Sequence, residues 1–555
     1  MQVEPSDEQK DEEVILADDK SDSDEEHQSA DTAETEEEDK EETEDGDERN
    51  AVDTEAATEA KADDELTEEE DEEDELFAAA GSIVARVDTA QSSVEFESID
   101  EALTAWKEAG TGARGAKLIL LANIPITNSI AVEGGNVESP MILDLNGYGI
   151  LYKGTDNNSV IVVKDTGYFK LTDSAGTNTY YLRTDSAGRA TGVYASRKGA
   201  RNIEVTGGFI AGGTGSGAGT NYYGGGINNS GTFTMDGGTI CGNIAPVGGG
   251  GVYNTGIFEL EGGTIGNNMA QQSYGGGVYL DGGSMEFSGG VVKNNTAKNG
   301  GGIAVYHDTS LLMSGGVITG NEAVGEDSDG EGGGIWTQKE ITITGGEISR
   351  NHAYNAGGVY SCSKLTMTGG KICLNEADNE GGGIYFTWIG DIDGFKFEGG
   401  EISENTAGDK GGGIYNSEKI TMNGGSINNN EANGSGAGIY NTGTGVFEMN
   451  DGDISDNEAD VDGGGVLNDG SDPEFKMNGG TMSGNEAGNN GGGICNNGNI
   501  TLESGEITGN RTANKGGGIY SVNSVKMNGG KISLNESNYP DQGHGIYVNS
   551  GSFEM

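Results

Sequence analysis

ITMNGGSINNNEANGSGAGIYN, residues 420–441, is one copy of a unit that recurs through residues 200–555, and VKMNGGKISLNESNYPDQGHGIYVN, residues 525–549, is another. The Asn of the middle motif falls at Asn243, Asn268, Asn295, Asn321, Asn351, Asn375, Asn405, Asn430, Asn457, Asn485, Asn510 and Asn535, in steps of 24 to 30 residues. Internal repeats of that length belong to solenoids and propellers. A propeller blade needs four strands in about 40–50 residues, which this period cannot supply. The Leu pattern of a leucine-rich repeat is absent.

Each copy carries three strand signals. The first alternates, as in Ile341-Thr342-Ile343-Thr344 or Phe475-Lys476-Met477-Asn478, so Ile, Phe and Met point inward and Thr, Lys and Asn outward. After a Gly-Gly turn comes the second, Glu401-Ile402-Ser403-Glu404, ending at Asn405; Gly411-Gly412-Gly413-Ile414-Tyr415 opens the third. Three short strands per unit make one coil, and coils stack at about 4.8 Å, the strand-pairing distance. The expected fold is all-β: a single-stranded right-handed parallel β-helix. One Asn per coil, stacked, would form an internal ladder in which each amide serves the next. Asn also tolerates the left-handed backbone region. The Ala two positions later fits a tight corner.

Working outward from the repeats, residues 116–199 read as irregular first coils, with Lys117-Leu118-Ile119-Leu120-Leu121 and Val160-Ile161-Val162-Val163 as clear strands. Residues 78–115 read as an N-terminal cap. There Ile83–Val87 is a strand, and Ser98-Ile99-Asp100-Glu101 matches a capping box that starts an amphipathic helix over 98–109. A solenoid exposes its core at each end and needs such a cap. Residues 1–77 hold 38 acidic and 5 basic residues; such runs repel and bury nothing, which predicts a disordered acidic tail. It would be a solvated linker or a spacer arm that attracts Ca²⁺. The rest of the chain is also acidic, within a total net charge of −61. That excludes nucleic acid, which needs clustered Lys and Arg, and disfavours an anionic membrane surface. Met1 is followed by the polar run QVEPSDEQK, with no signal peptide, and no apolar run is long enough to span a bilayer. Phe553-Glu554-Met555 copies the start of a repeat and stops. The expectation is a chain without its signal and anchor, truncated at its C-terminus.

The paired motifs GGG[I/V]Y and [I/M]xxNxA resemble the GGA[I/L/V] and FxxN repeats of chlamydial polymorphic outer-membrane proteins. They are similar, too, to adhesin-like, pectin-lyase-like right-handed β-helix proteins of gut bacteria and archaea. DLNGYGI (144–150) and FKLTDSAG (169–176) look like the entry coils of the second group. The resemblance spans about residues 116–555 and implies a secreted or cell-surface protein, often an adhesin, whose partner is a glycan or a surface protein of a host or neighbouring cell. Here Ile or Met stands where FxxN has Phe, and no C-terminal barrel or wall anchor is seen.

Candidate binding residues form a column. Tyr253, Tyr279, Trp336, Tyr360, Tyr385, Tyr415, Tyr440, Tyr520 and Tyr547 each follow the inward Ile or Val of the third strand, so alternation turns them outward. They would either stack against sugars or a protein, or stack on one another and shield the sheet. For a lyase or glycoside hydrolase, the alternative, acids and a base would cluster where the repeat is interrupted. The candidates are the insertion 324–331 with Glu326, Asp327 and Asp329, the insertion 386–394 with Trp388, Asp391 and Asp393, and Glu347, Arg350 and His352 in one coil. Solvated turns explain such acids equally well, so no catalytic residue is assigned. A passive stalk is the third reading. The four His show no metal pattern, and no cofactor motif is present. Cys241 and Cys373 share a column five coils apart, too far for a disulfide; Cys362 and Cys373 sit at different corners, and Cys495 completes the set.

Overall fold

The structure is a computed structural model that describes residues 75–555, except 111–115, Lys198, Ala200, 219–220, 326–328, 388–393, Ser471 and Pro540. The acidic run 1–74 and the loop residues Glu326, Asp327, Trp388, Asp391 and Asp393 therefore lie outside the described residues.

The chain forms an all-β parallel solenoid of about 16 turns with one helix among the described residues. The first and second sheets are fused where Thr232–Cys241 and Ile257–Gly266 run through the Gly-Gly corner as unbroken strands. The third sheet stacks fifteen strands, from Ile130–Val132 to Ile546–Val548. A fourth, narrow ladder of twelve two-residue strands follows the Asn column, which sequence alone had assigned to a turn. Its Ala432, Ala459 and Ala487 are buried.

Register is kept from coil to coil, so like stacks on like. Phe447 sits on Ile420 and under Phe475 in the first sheet, Ile427 between Ile402 and Ile454 in the second, and Ile414 under Ile439 in the third. All are fully buried, while the alternate positions are not, as in the buried–intermediate–buried pattern of Ile341–Ile343. A narrow core is thus repeated along the axis. The outward pair Glu448 and Lys476 approaches to 3.7 Å, a half-exposed contact of small worth.

The left-handed backbone position is not the ladder Asn but the residue before it. Asn267, Asn294, Arg350, Leu374, Glu404, Asn429, Asp456 and Leu534 have φ between 52° and 57°, and Gly242, Gly320, Gly484 and Gly509 take the same place elsewhere. The chain must reverse there to aim the Asn side chain inward. For a Leu that conformation costs about 1–2 kcal/mol. Leu534 is also 82% exposed, so it packs little. Leu534→Gly is expected to gain about 0.5–1 kcal/mol once the extra entropy of an unfolded Gly is set against the relief, read as a higher urea midpoint.

At the N-terminal end, the strands Ala85–Asp88 and Ser93–Phe96 pair antiparallel, and Ala85–Asp88 joins the first coil antiparallel through Lys117–Leu120. Helix Ile99–Gly110 lays Ala102 and Trp106 on the core, and the Trp106 indole N–H donates to the Ala116 carbonyl at 2.9 Å. In the entry coils the Asp144 carboxylate accepts from the Asn146 and Ser174 amides, and Asp173 from those of Gly147 and Gly208. The DLNGYG and DSAG segments are therefore turns locked to each other across coils.

Residues 179–206 are not a coil. They leave the solenoid as a three-stranded antiparallel sheet, in the order Ala190–Tyr194, Thr179–Thr184, Asn202–Thr206. Its apolar side, with Tyr180, Leu182, Val193 and Val205, packs on Leu151, Phe209, Ala211 and Cys241 of the second sheet. This flap departs from the run of first coils expected up to residue 199.

Candidate functional site

The Asn column is fully connected. In each of the eleven links from Asn243 to Asn535, Nδ2 of one Asn donates to Oδ1 of the next at 2.8–3.0 Å. The same Oδ1 also accepts the backbone N–H of the preceding Asn, as Asn405 Oδ1 does from Asn375 at 3.0 Å. The second Nδ2 proton goes to a carbonyl of the previous coil, such as Asn405 to Ile372 at 3.0 Å. Every donor and acceptor of an interior amide is used, as burial demands.

A second ladder was missed. The residue after each position of the aromatic column is buried too, except the half-buried Val548 after Tyr547, and Asn416, Asn441, Asn468 and Asn496 link Nδ2 to Oδ1 at 2.6–2.7 Å before ending on Ser521. Asn229 and Asn254 form a separate pair. The recurring G-I-Y-N was the available signal; Leu280, Val305 and Phe386 at the same place obscured it.

The nine aromatic residues do lie in one column of the third sheet, which Ala304, Leu467 and Cys495 interrupt. Tyr279, Trp336 and Tyr440 are buried, and the other six are half-buried. Tyr360, Tyr385, Tyr415 and Tyr440 form a continuous stack, with centroids 5.0, 4.5 and 5.4 Å apart and planes within 12°. Tyr520 and Tyr547 stack at 5.9 Å. Rings this close are too wide to lie side by side; they turn their faces to each other. What the stack turns outward is its edge, where the Tyr360 hydroxyl engages Glu331 and the Tyr385 hydroxyl engages Tyr415.

Charged groups border that edge. Glu380 and Lys410, from the column preceding the triple Gly, meet at 3.4 Å, and the Lys410 ammonium lies 5.3 Å from the Tyr440 ring centre. Tyr440 donates its hydroxyl proton to Asp469 at 2.9 Å. Burial pushes the phenols up, Tyr415 to about 12, so they remain neutral donors. Burial also raises the Glu331 and Glu380 carboxyls; Glu331 accepts from the Trp336 indole at 2.9 Å.

Around the Ala304 gap the packing differs. Tyr274 and Tyr306, from columns on either side, stack at 5.5 Å and cover the space, together with Tyr279 and Trp336. Asp281 accepts the hydroxyl protons of Tyr253 at 2.7 Å and Tyr279 at 3.2 Å and also contacts His307.

The suggested catalytic groups are distributed. Glu347 stands beside Lys371 in the second sheet, whereas His352 bonds Asp378 at 3.0 Å in the fourth ladder and Arg350 occupies a left-handed corner. Asp329 pairs with Lys298 at 2.5 Å. Among the described residues no group of His, Cys, Asp and Glu is arranged to hold a metal ion, and no helix is long and apolar enough to cross a membrane. The four cysteines are buried as free thiols, with burial holding Cys362 and Cys373 near 11. No family model, curated protein or solved structure matches this chain.

Proposed function

We propose that this is an adhesin-like protein of the cell surface or secreted space that binds a glycan or a surface protein along the third sheet. The observation that carries the reading is the ribbon from Tyr360 to Tyr440. It offers four phenolic edges in register, bordered by Glu380, Lys410 and Asp469. Such a rim supplies hydrogen bonds at the coil spacing to an extended ligand, on a platform that needs no ordering when it binds. Because the ring faces are occupied, recognition runs through hydroxyls rather than through a sugar lying flat on a ring.

The test separates hydroxyl from stack. Tyr385→Phe, Tyr415→Phe and Tyr440→Phe in one full-length chain keep the rings and remove the edge donors. On glycan and surface-protein arrays the parent chain is expected to show saturable binding, and the triple variant at least about tenfold weaker binding, with stability lowered only by the roughly 1 kcal/mol of the lost bond from Tyr440 to Asp469. Equal binding by the variant, or no ligand on either array, would sink this reading and leave the stalk.

A further inference from the structure

The flap ends in an open edge. Strand Asn202–Thr206 pairs on one side with Thr179–Thr184 and, among the described residues, with no strand on the other. The Thr184 amide donates to the Arg201 carbonyl and the Gly207 amide to that of Asn178, so the bonded positions are the odd-numbered ones. The backbone N–H and C=O groups of Glu204 and Thr206 therefore point outward. Beside this edge, a cavity of about 370 Å³ lies over the second sheet, lined by Val205, Thr206, Thr264, Asn267 and Lys293. A further strand at the usual spacing of about 4.8 Å would rest on that floor.

Charge identifies what fits. Between Arg183 and Arg201 the sequence has five basic residues and one acidic, in a chain of net charge −61. Arg197 and Arg201 are exposed, and neither they nor Lys293 form a salt bridge among the described residues. We propose that this edge receives an extended acidic segment of a partner polypeptide. The segment adds as a fourth flap strand, bonds the backbone of Glu204 and Thr206, and sets alternate carboxylates toward Lys293 and the arginines. The site is separate from the aromatic ribbon and stands without it.

The probe is a short fluorescein-labelled peptide of alternating Glu and Val, titrated into the full chain at low salt and followed by anisotropy and amide hydrogen exchange. Saturable binding that slows exchange at Glu204 and Thr206 is expected. Thr206→Pro, which removes an outward N–H, and the pair Arg197→Glu with Arg201→Glu should each weaken binding at least about tenfold. Binding that is lost with the arginines but kept by Thr206→Pro, with no added protection at Glu204 and Thr206, would show a purely electrostatic contact and overturn strand addition. No binding, or a preference for sulfated polysaccharide over the peptide, would overturn it too. The exchange result on the parent chain decides the matter even if Thr206→Pro disturbs the flap.

Discussion

Asn405→Leu is expected to cost the solenoid about 5 kcal/mol, read as a large fall in the urea midpoint. The side chain takes part in four hydrogen bonds, two accepted from Asn375 and two donated to Ile372 and Asn430. Each is worth about 1 kcal/mol net, and a buried group left without a partner costs about 1–3 kcal/mol. Leucine orphans the Asn375 amide and the Ile372 carbonyl at a fully buried site. Asn405→Asp makes a sharper test. It keeps the acceptor for Asn375 but turns an oxygen toward the Ile372 carbonyl and Asn430 Oδ1. Burial would raise that carboxyl in the folded state above its unfolded value. Its penalty should therefore be smallest at acid pH, where both states are protonated, and grow as pH rises through the window between the two values. A penalty independent of pH would show that the solenoid opens around the residue instead.

Gly383→Ala is the second large effect, expected at about 3 kcal/mol, the upper end for overpacking. A Cβ there would lie 2.6 Å from the Gly413 carbonyl oxygen and 2.9 Å from Asn405 Nδ2. Those atoms are backbone and ladder, so relief requires the coils to part. The equivalent Gly545 is the control, because a Cβ there would meet only Ile532 Cγ2, at 3.6 Å. Gly545→Ala should cost far less, and equal losses at the two positions would refute the close-approach argument.

The contrast also shows what could be read from sequence. Period and alternation fix which residues face the core, so Phe447, Ile427 and Ile414 fell into place, and the Asn column stood out because one buried amide per coil has few substitutes. Left-handed corners were harder: Leu374, Glu404 and Arg350 share a backbone conformation but no side-chain chemistry. The flap was hidden for a different reason. YYLRT and ATGVY alternate just as coil strands do, and antiparallel pairing leaves no mark in such short segments. For the tyrosines, alternation specifies the outward side but not ring orientation, which follows from a spacing narrower than a ring.

The Asn ladder runs one way. Every interior Nδ2 gives a proton toward the C-terminal side, and every Oδ1 faces the N-terminal side, where the first of them, on Asn243, takes the Gly213 amide. Amide dipoles, about 3.5 D each, add head to tail when aligned, whereas those of sheet backbones largely cancel. The twelve side chains thus act as a thin electret along the axis, positive toward Asn535 and negative toward Asn243. Two ends built from the same repeat are electrically unlike, and an anion is favoured near one and a cation near the other.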